Sequence, residues 1–441
     1  MSGKIGFWSV FELVTISQIG SGLMLPANLA AYGHFSLVGW IMSSVGAVLL
    51  AVMFALLCTR FPRTGGPHAY VQEAFGRTAS YFTGWTYWVI SWVSTSAIII
   101  SAVGYILPLI GSHSHYLNLA LEIIIVAVIT TINLRGVYSA GNARFIWIVF
   151  KMIPLLLVPI CALFFFDKSN FTVVTVSTED TSSLFNSVML LTFWGFIGFE
   201  AATAAAADVK DLRKTIPRAL IFGTIFVAIV YFISSLGIMG AIPADELINS
   251  AAPYSDTAKL IFGGKWHLIV SFIACIVCIT AVNAWTLASG QIALGLAQDR
   301  LLPKQFGLCN KHGAPVFALI LSGVGTIPLL ILTHHESLAE KVNTVIDMSV
   351  TAFLFVYIIS CLAYLKLLVT PKRKEPLWKW LCGVVSLCFC LWIVFSTPLK
   401  TIGVATIFVL SGLPIYLLQR MNSKSTQPSD DSQTPYISET P

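Results

Sequence analysis

"SQIGSGLMLP", residues 17–26, interrupts the first apolar stretch of the chain with two serines, a glutamine, two glycines and a proline. A helix crossing hydrocarbon must satisfy its backbone internally, and these residues weaken it at the depth where unpaired groups cost most. Gly20 and Gly22 lower helix propensity, and Pro26 supplies no backbone donor. Two questions decide what the stretch means: whether the chain lies in a membrane, and whether a second break matches this one.

Composition answers the first. Of 441 residues 56% are hydrophobic and 10% charged, with a mean hydropathy of +0.83, whereas a soluble domain carries about a quarter charged residues. The apolar runs are mostly long enough to cross a hydrocarbon core roughly 30 Å thick as helix. The alternating strands of an outer-membrane barrel are absent from the sequence. The expected fold is an all-α polytopic membrane protein with twelve spans at about 7–31, 36–59, 80–111, 116–134, 143–166, 184–206, 216–242, 266–294, 315–333, 342–368, 378–396 and 401–419. A single Lys4 precedes the first apolar run, with no small-residue cleavage site after it, so the first span reads as an uncleaved helix.

Of the twenty-six Lys and Arg residues, twenty fall on one side if both termini are cytoplasmic. Five fall on the other (Lys168, Lys259, Lys265, Lys341 and Lys400), and Lys151 lies inside a span. That is the positive-inside pattern, so the net charge of +6 reports topology and gives no indication of nucleic acid. Most of the nine cysteines fall inside spans, and Cys275 and Cys278 lack the second pair or histidine cluster of a metal site. No cofactor or metal is expected. Residues 420–441 are rich in Ser, Thr, Pro and Asp and read as a disordered cytoplasmic tail.

Ionisable residues inside spans are expensive and therefore informative. Glu12, Glu122, Lys151, Glu200 and Asp347 are such residues, although Glu122 sits near the outer end of its span, where it can reach headgroups. The second break appears in "LLTFWGFIGFEAATAAA", where Gly195 and Gly198 stand among Trp194, Phe196 and Glu200. Spans one and six are corresponding members of two five-helix halves, the arrangement of an inverted-repeat transporter with discontinuous helices. An unwound turn frees N–H groups for a carboxylate and carbonyls for an ammonium, so the paired breaks read as an amino-acid site. Close helix packing through small residues explains either motif alone.

"IGSGLMLPANLA" (19–30), "PRTGGPHAYVQEAFG" (62–76), "FWGFIGFEAAT" (193–203), "DVKDLRKTIPRA" (208–219) and "AWTLASGQ" (284–291) resemble the amino acid–polyamine–organocation superfamily. The resemblance is closest to bacterial arginine/agmatine antiporters and related basic amino acid/amine antiporters. It implies a LeuT-like inverted five-plus-five repeat with discontinuous helices 1 and 6: a first repeat at about 7–166 within residues 1–206, a second over 184–368, two accessory helices over 378–419, and a homodimer in the bacterial inner membrane. It also implies that Ser21 and Gly22 serve the substrate carboxylate, while carbonyls of Ile19, Trp194 and Ile197 accept from its amine. Trp194 would close over the substrate, Trp285 would face the side-chain cation, and Glu200 would couple helix six to its neighbours.

Tyr87 and Ser91, four apart on span three, would face the same pocket by helical spacing, as would Ser349 or Thr351 on span ten. Thr95 stands where those antiporters carry an asparagine, and Gln18 where they carry an apolar residue. Lys151 resembles the span-five lysine of a subset that dispenses with sodium. It has two readings: a proton carrier whose pKa burial lowers, or a permanent cation paired with backbone carbonyls. Glu12 and Asp347 have no counterpart in these motifs, and each can attract a cationic substrate, bind a proton or be paired structurally. In the cytoplasmic loops, Asp208, Asp211 and Arg213 are expected to form salt links, and His68 to be an ordinary loop histidine at the membrane surface. No phosphate-binding G-x-x-x-x-G-K-[ST] loop, H-E-x-x-H or G-x-S-x-G occurs. A pump or enzyme is therefore disfavoured, and a channel or receptor does not need two matched interruptions.

Overall fold

The computed structural model describes residues 6–61, 66–111, 114–135, 143–171, 181–200, 203, 209–369 and 375–424. These residues form helices and turns, with an isolated antiparallel bridge between Cys309 and Pro315. The protein is an all-helical, multi-pass membrane protein: eight described helices have the length and apolar composition to cross a bilayer.

The first span is split into α1 (Phe7–Gly22) and α2 (Leu25–Ala30). There follow α3 (Phe35–Arg60), the short α4 (Pro67–Phe75), α5 (Arg77–Ile110), α6 (His115–Leu134) and α7 (Ala143–Ala162). The sixth span begins with α8 (Thr181–Trp194) and gives way to turns over 195–200. Beyond it run α9 (Leu212–Ala241), α10 (Pro253–Phe262), α11 (Trp266–Gln298), α12 (Val316–Leu332) and α13 (Leu338–Val369). The chain closes its described part with α14 (Leu377–Ser396), α15 (Leu399–Leu410) and α16 (Leu413–Lys424). Helix thus occupies each of the twelve apolar stretches, because in hydrocarbon a single strand or loop leaves its polar backbone unpaired.

The last span, Leu399–Gln419, carries a turn at Ser411–Gly412, where Trp85 Nε1 donates to Ser411 Oγ at 2.9 Å and the Tyr81 hydroxyl to the Gly412 carbonyl at 2.7 Å. Three expectations are corrected. Lys341, expected in an outer loop, lies inside α13, and Glu122, expected at headgroups, meets its ammonium at 3.1 Å with both side chains 1% exposed or less. Two opposite charges satisfy each other there, whereas either alone would be an uncompensated buried ion. His68 is fully buried rather than at a surface, its Nε2 3.2 Å from Asp299 Oδ2 at the end of α11. Among the described residues Asp211 and Arg213 form no ion pair; Asp208 lies outside them, as do residues 62–65 and 425–441.

The interior is organised around α5 and α11, which lie along one another, with α1 packed on α9 and α11. Small residues permit this approach: a Cβ at Gly20 would overlap the Ala281 methyl of α11. The second half of α1 is thereby drawn to the centre, among helices from both halves of the chain.

Candidate functional site

The first break lies slightly beyond the place read from sequence. Gly20 and Gly22 remain helical, and the turn falls at Leu23–Met24. The glycines serve close packing, Gly22 against the Tyr231 hydroxyl of α9. Pro26 does the breaking, since its missing N–H leaves the Gly22 carbonyl without its usual partner four residues on. The carbonyls along this end of α1 are met by side chains from three other helices. Trp285 Nε1 donates to Ser17 O at 3.0 Å, the Tyr231 hydroxyl to Gln18 O at 2.7 Å, Cys278 Sγ to Gly20 O at 3.2 Å and the Tyr105 hydroxyl to Leu23 O at 2.9 Å. A carbonyl oxygen has a second lone pair for such a donor.

The second break follows Trp194. Ile197 N donates to Trp194 O at 3.1 Å in a tight turn, and Gly198 takes φ +115°, a conformation open to glycine. A Cβ on Gly198 would lie 2.9 Å from Trp285 Cζ2 and 3.0 Å from Ser17 O, so the position also demands the smallest residue for contact. The two breaks touch: Ser17 Oγ donates to Gly198 O at 2.9 Å. Glu200 Oε2 then accepts from Gly198 N at 3.2 Å and from the Tyr357 hydroxyl of α13 at 2.8 Å. A continuous chain of polar contacts therefore runs from Trp285 through Ser17, Gly198 and Glu200 to Tyr357.

Aromatic rings enclose it. Phe353 lies 6.0 Å from Trp285, 6.1 Å from Tyr87 and 6.1 Å from Tyr357, centroid to centroid. Beside the breaks, Trp194 Nε1 and Gln18 Oε1 are buried without a hydrogen-bond partner among the described residues, while the Tyr87 hydroxyl interacts with the Glu200 carboxylate. Buried polar groups in proteins are nearly always paired. Trp194, Ile197 and Trp285 are each at most 4% exposed, so the place where the two breaks meet is shut from solvent.

The remaining expected residues divide. Ile19 is buried on α1, beside the engaged carbonyls. Ser91 Oγ is turned back onto the Trp88 carbonyl at 2.6 Å. Thr95 lines a cleft with Trp92, Thr286, Ser289, Ser322 and Thr326, its hydroxyl donating to Ser91 O at 2.7 Å. Ile98, one turn on, is what approaches Gly20. Thr351 Oγ1 donates to Asp347 O at 2.8 Å, and Glu12 stands on α1 with its carbonyl accepting from Thr15 Oγ1 at 3.1 Å. The side chains of Ser21 and Lys151 lie outside the described atoms, though both residues are helical. Sequence reading missed Tyr105, Tyr231, Phe353 and Tyr357. The tyrosines carried a signal, since a tyrosine in an apolar helix must find an acceptor for its hydroxyl, and Phe353 carried none. Among the described residues no group of three or more His, Cys, Asp and Glu could hold a metal.

An all-helical membrane protein in which two interrupted helices meet at a buried polar contact has the architecture of a carrier. Residues 5–418 match the amino acid permease family model, and the chain belongs to that family. It is a transporter rather than an enzyme. A cadaverine/lysine antiporter of Escherichia coli K12 is 30% identical over 399 residues, covering 88% of each chain. The putrescine transporter PotE of Haemophilus influenzae is 29% identical over 380 residues, covering 85% of this chain and 87% of its own. The Escherichia coli K12 putrescine transporter PotE is 28% identical over 368 residues, covering 82% and 83%.

Proposed function

We propose that the protein exchanges a basic amino acid for an amine by alternating access across a bacterial inner membrane, with both termini cytoplasmic. The observation that carries the reading is the Ser17–Gly198 contact, which brings both broken helices to one buried place. The names of the relatives support cationic substrates and exchange. In this reading α1 to α7 form the first five-helix repeat, and α8 to α13 the second, inverted against it. Two accessory helices follow in α14 and in α15 with α16, on which a homodimer forms. The breaks hold the amino-acid head group; Trp194 and Trp285 close on it, and Glu200 passes the change to α13 through Tyr357. Lys151 supplies the fixed positive charge of the fifth span, and no proton or sodium flux is needed for exchange.

Proteoliposomes test this directly. Labelled lysine, arginine or ornithine should enter only when the lumen holds cadaverine, agmatine, putrescine or a basic amino acid. Uptake into empty vesicles driven by an imposed proton gradient, and lost with its pH dependence in Lys151→Ala, would replace exchange by proton symport.

A further inference from the structure

The outer side of the first break carries buried polar atoms that the site above does not use. Asn28 stands on α2, and its backbone N–H meets the carbonyl of Met24 at 3.2 Å. Its side-chain nitrogen is engaged with α13, donating to Ala339 O at 3.3 Å and to Asn343 Oδ1. Its Oδ1 accepts nothing among the described residues, although the residue is 5% exposed. Ala339, Asn343 and Asp347 follow at intervals of four along α13, so they form one row, and Asp347 is the next group one turn further in.

The Asp347 carboxylate makes no hydrogen bond or ion pair with the described residues. The cations of α13 are engaged elsewhere: Lys341 holds Glu122 at 3.1 Å, and Lys366, near the other end, lies 4.8 Å from the Phe75 ring centroid. The sequence has no Lys or Arg between Lys4 and Arg60, nor between Arg77 and Arg135, so α1, α2 and the adjoining turns of α5 and α6 bring none. The other acids at this end, Glu336 and Glu340, accept from Thr344 Oγ1 at 3.3 Å and Ser337 Oγ at 2.8 Å and add only negative charge. One open acceptor and a carboxylate that no cation among the described residues reaches call for a ligand that brings both charge and donors. A primary ammonium brings three N–H groups and one positive charge.

We infer that Asp347 and Asn28 form an outer cation subsite that holds a primary ammonium group of the transported amine or basic amino acid. The inference rests on the exchange reading above. One helical turn, about 5.4 Å, separates Met24 from Asn28, comparable with the reach of an extended four- or five-carbon chain. A substrate with its head group at the break can therefore set its terminal ammonium between α2 and α13. An inorganic cation such as sodium would need more oxygens than the two residues provide.

Ligand-induced thermal stabilisation of the purified full chain tests this with cadaverine, lysine, norleucine and sodium chloride as probes. Asp347→Asn keeps the shape and removes the charge. It should weaken cadaverine and lysine at least tenfold and lower the lysine-to-norleucine affinity ratio by the same factor, while the unliganded melting temperature stays near that of the parent. Asp347→Glu keeps the charge and should hold the ratio within about threefold; Asn28→Ala should cost about threefold in cadaverine affinity. An unchanged ratio in Asp347→Asn overturns the subsite and leaves exchange standing. Stabilisation by sodium that Asp347→Asn abolishes overturns it in favour of an ion site. A parent protein stabilised by no basic amino acid or amine overturns the exchange reading, and the subsite with it.

Discussion

Ser17 Oγ lies 2.9 Å from the Gly198 carbonyl and 3.0 Å from that of Val14, so its one hydroxyl hydrogen is shared between the unwound part of the sixth span and its own helix. A neutral buried hydrogen bond contributes about 1 kcal/mol net. Ser17→Ala should therefore slow exchange about fivefold with little change in KM, measured as counterflow in proteoliposomes. A drop confined to KM would mean that Ser17 holds substrate rather than the two helices.

Gly198 cannot be replaced without strain. Its φ of +115° and the Trp285 and Ser17 atoms waiting at 2.9 and 3.0 Å make Gly198→Ala costly twice over. Backbone strain of this kind is worth about 1–3 kcal/mol. The expected result is a lowered melting temperature in detergent and exchange below about a tenth of the parent rate.

Trp285 has two separable roles. Its N–H is bonded to Ser17 O at 3.0 Å, and its ring is packed near Phe353. Trp285→Phe should keep the KM for lysine within about threefold while slowing exchange, because the face survives and the bond does not. Trp285→Ala should raise KM about ten- to thirtyfold, the worth of a desolvated cation–π contact. Equal effects in the two variants would assign the residue to packing.

The Glu122–Lys341 pair should behave as a closed unit. Lys341→Met or Glu122→Leu alone leaves an uncompensated charge and should cost about 3–5 kcal/mol. The double variant Glu122→Leu/Lys341→Met should recover most of that loss. Thermal unfolding of the detergent-solubilised proteins measures both.

The membrane class was legible because a helix in lipid announces itself by length and apolar content, and eight of the expected spans have described helices long and apolar enough to cross. The sixth-span break was legible too, since Gly195 and Gly198 interrupt a strong apolar run. The first was displaced to Leu23–Met24 because a glycine can serve packing as readily as unwinding, and only the Tyr231 and Ala281 contacts decide which. Glu122 and Lys341 were read apart, each at a span end. Their pairing is set by where α6 and α13 cross, 219 positions apart in the chain, and no local pattern carries that.

The carbonyls of Ser17, Gln18, Gly20 and Leu23 are already occupied by donors from Trp285, Tyr231, Cys278 and Tyr105. A solute that reaches for them must displace a tryptophan, a tyrosine or a thiol, and each buried donor left unpaired costs about 1–3 kcal/mol. Grip is thus kept shallow by substitution, so the cargo can be let go on the far side as easily as it was taken up.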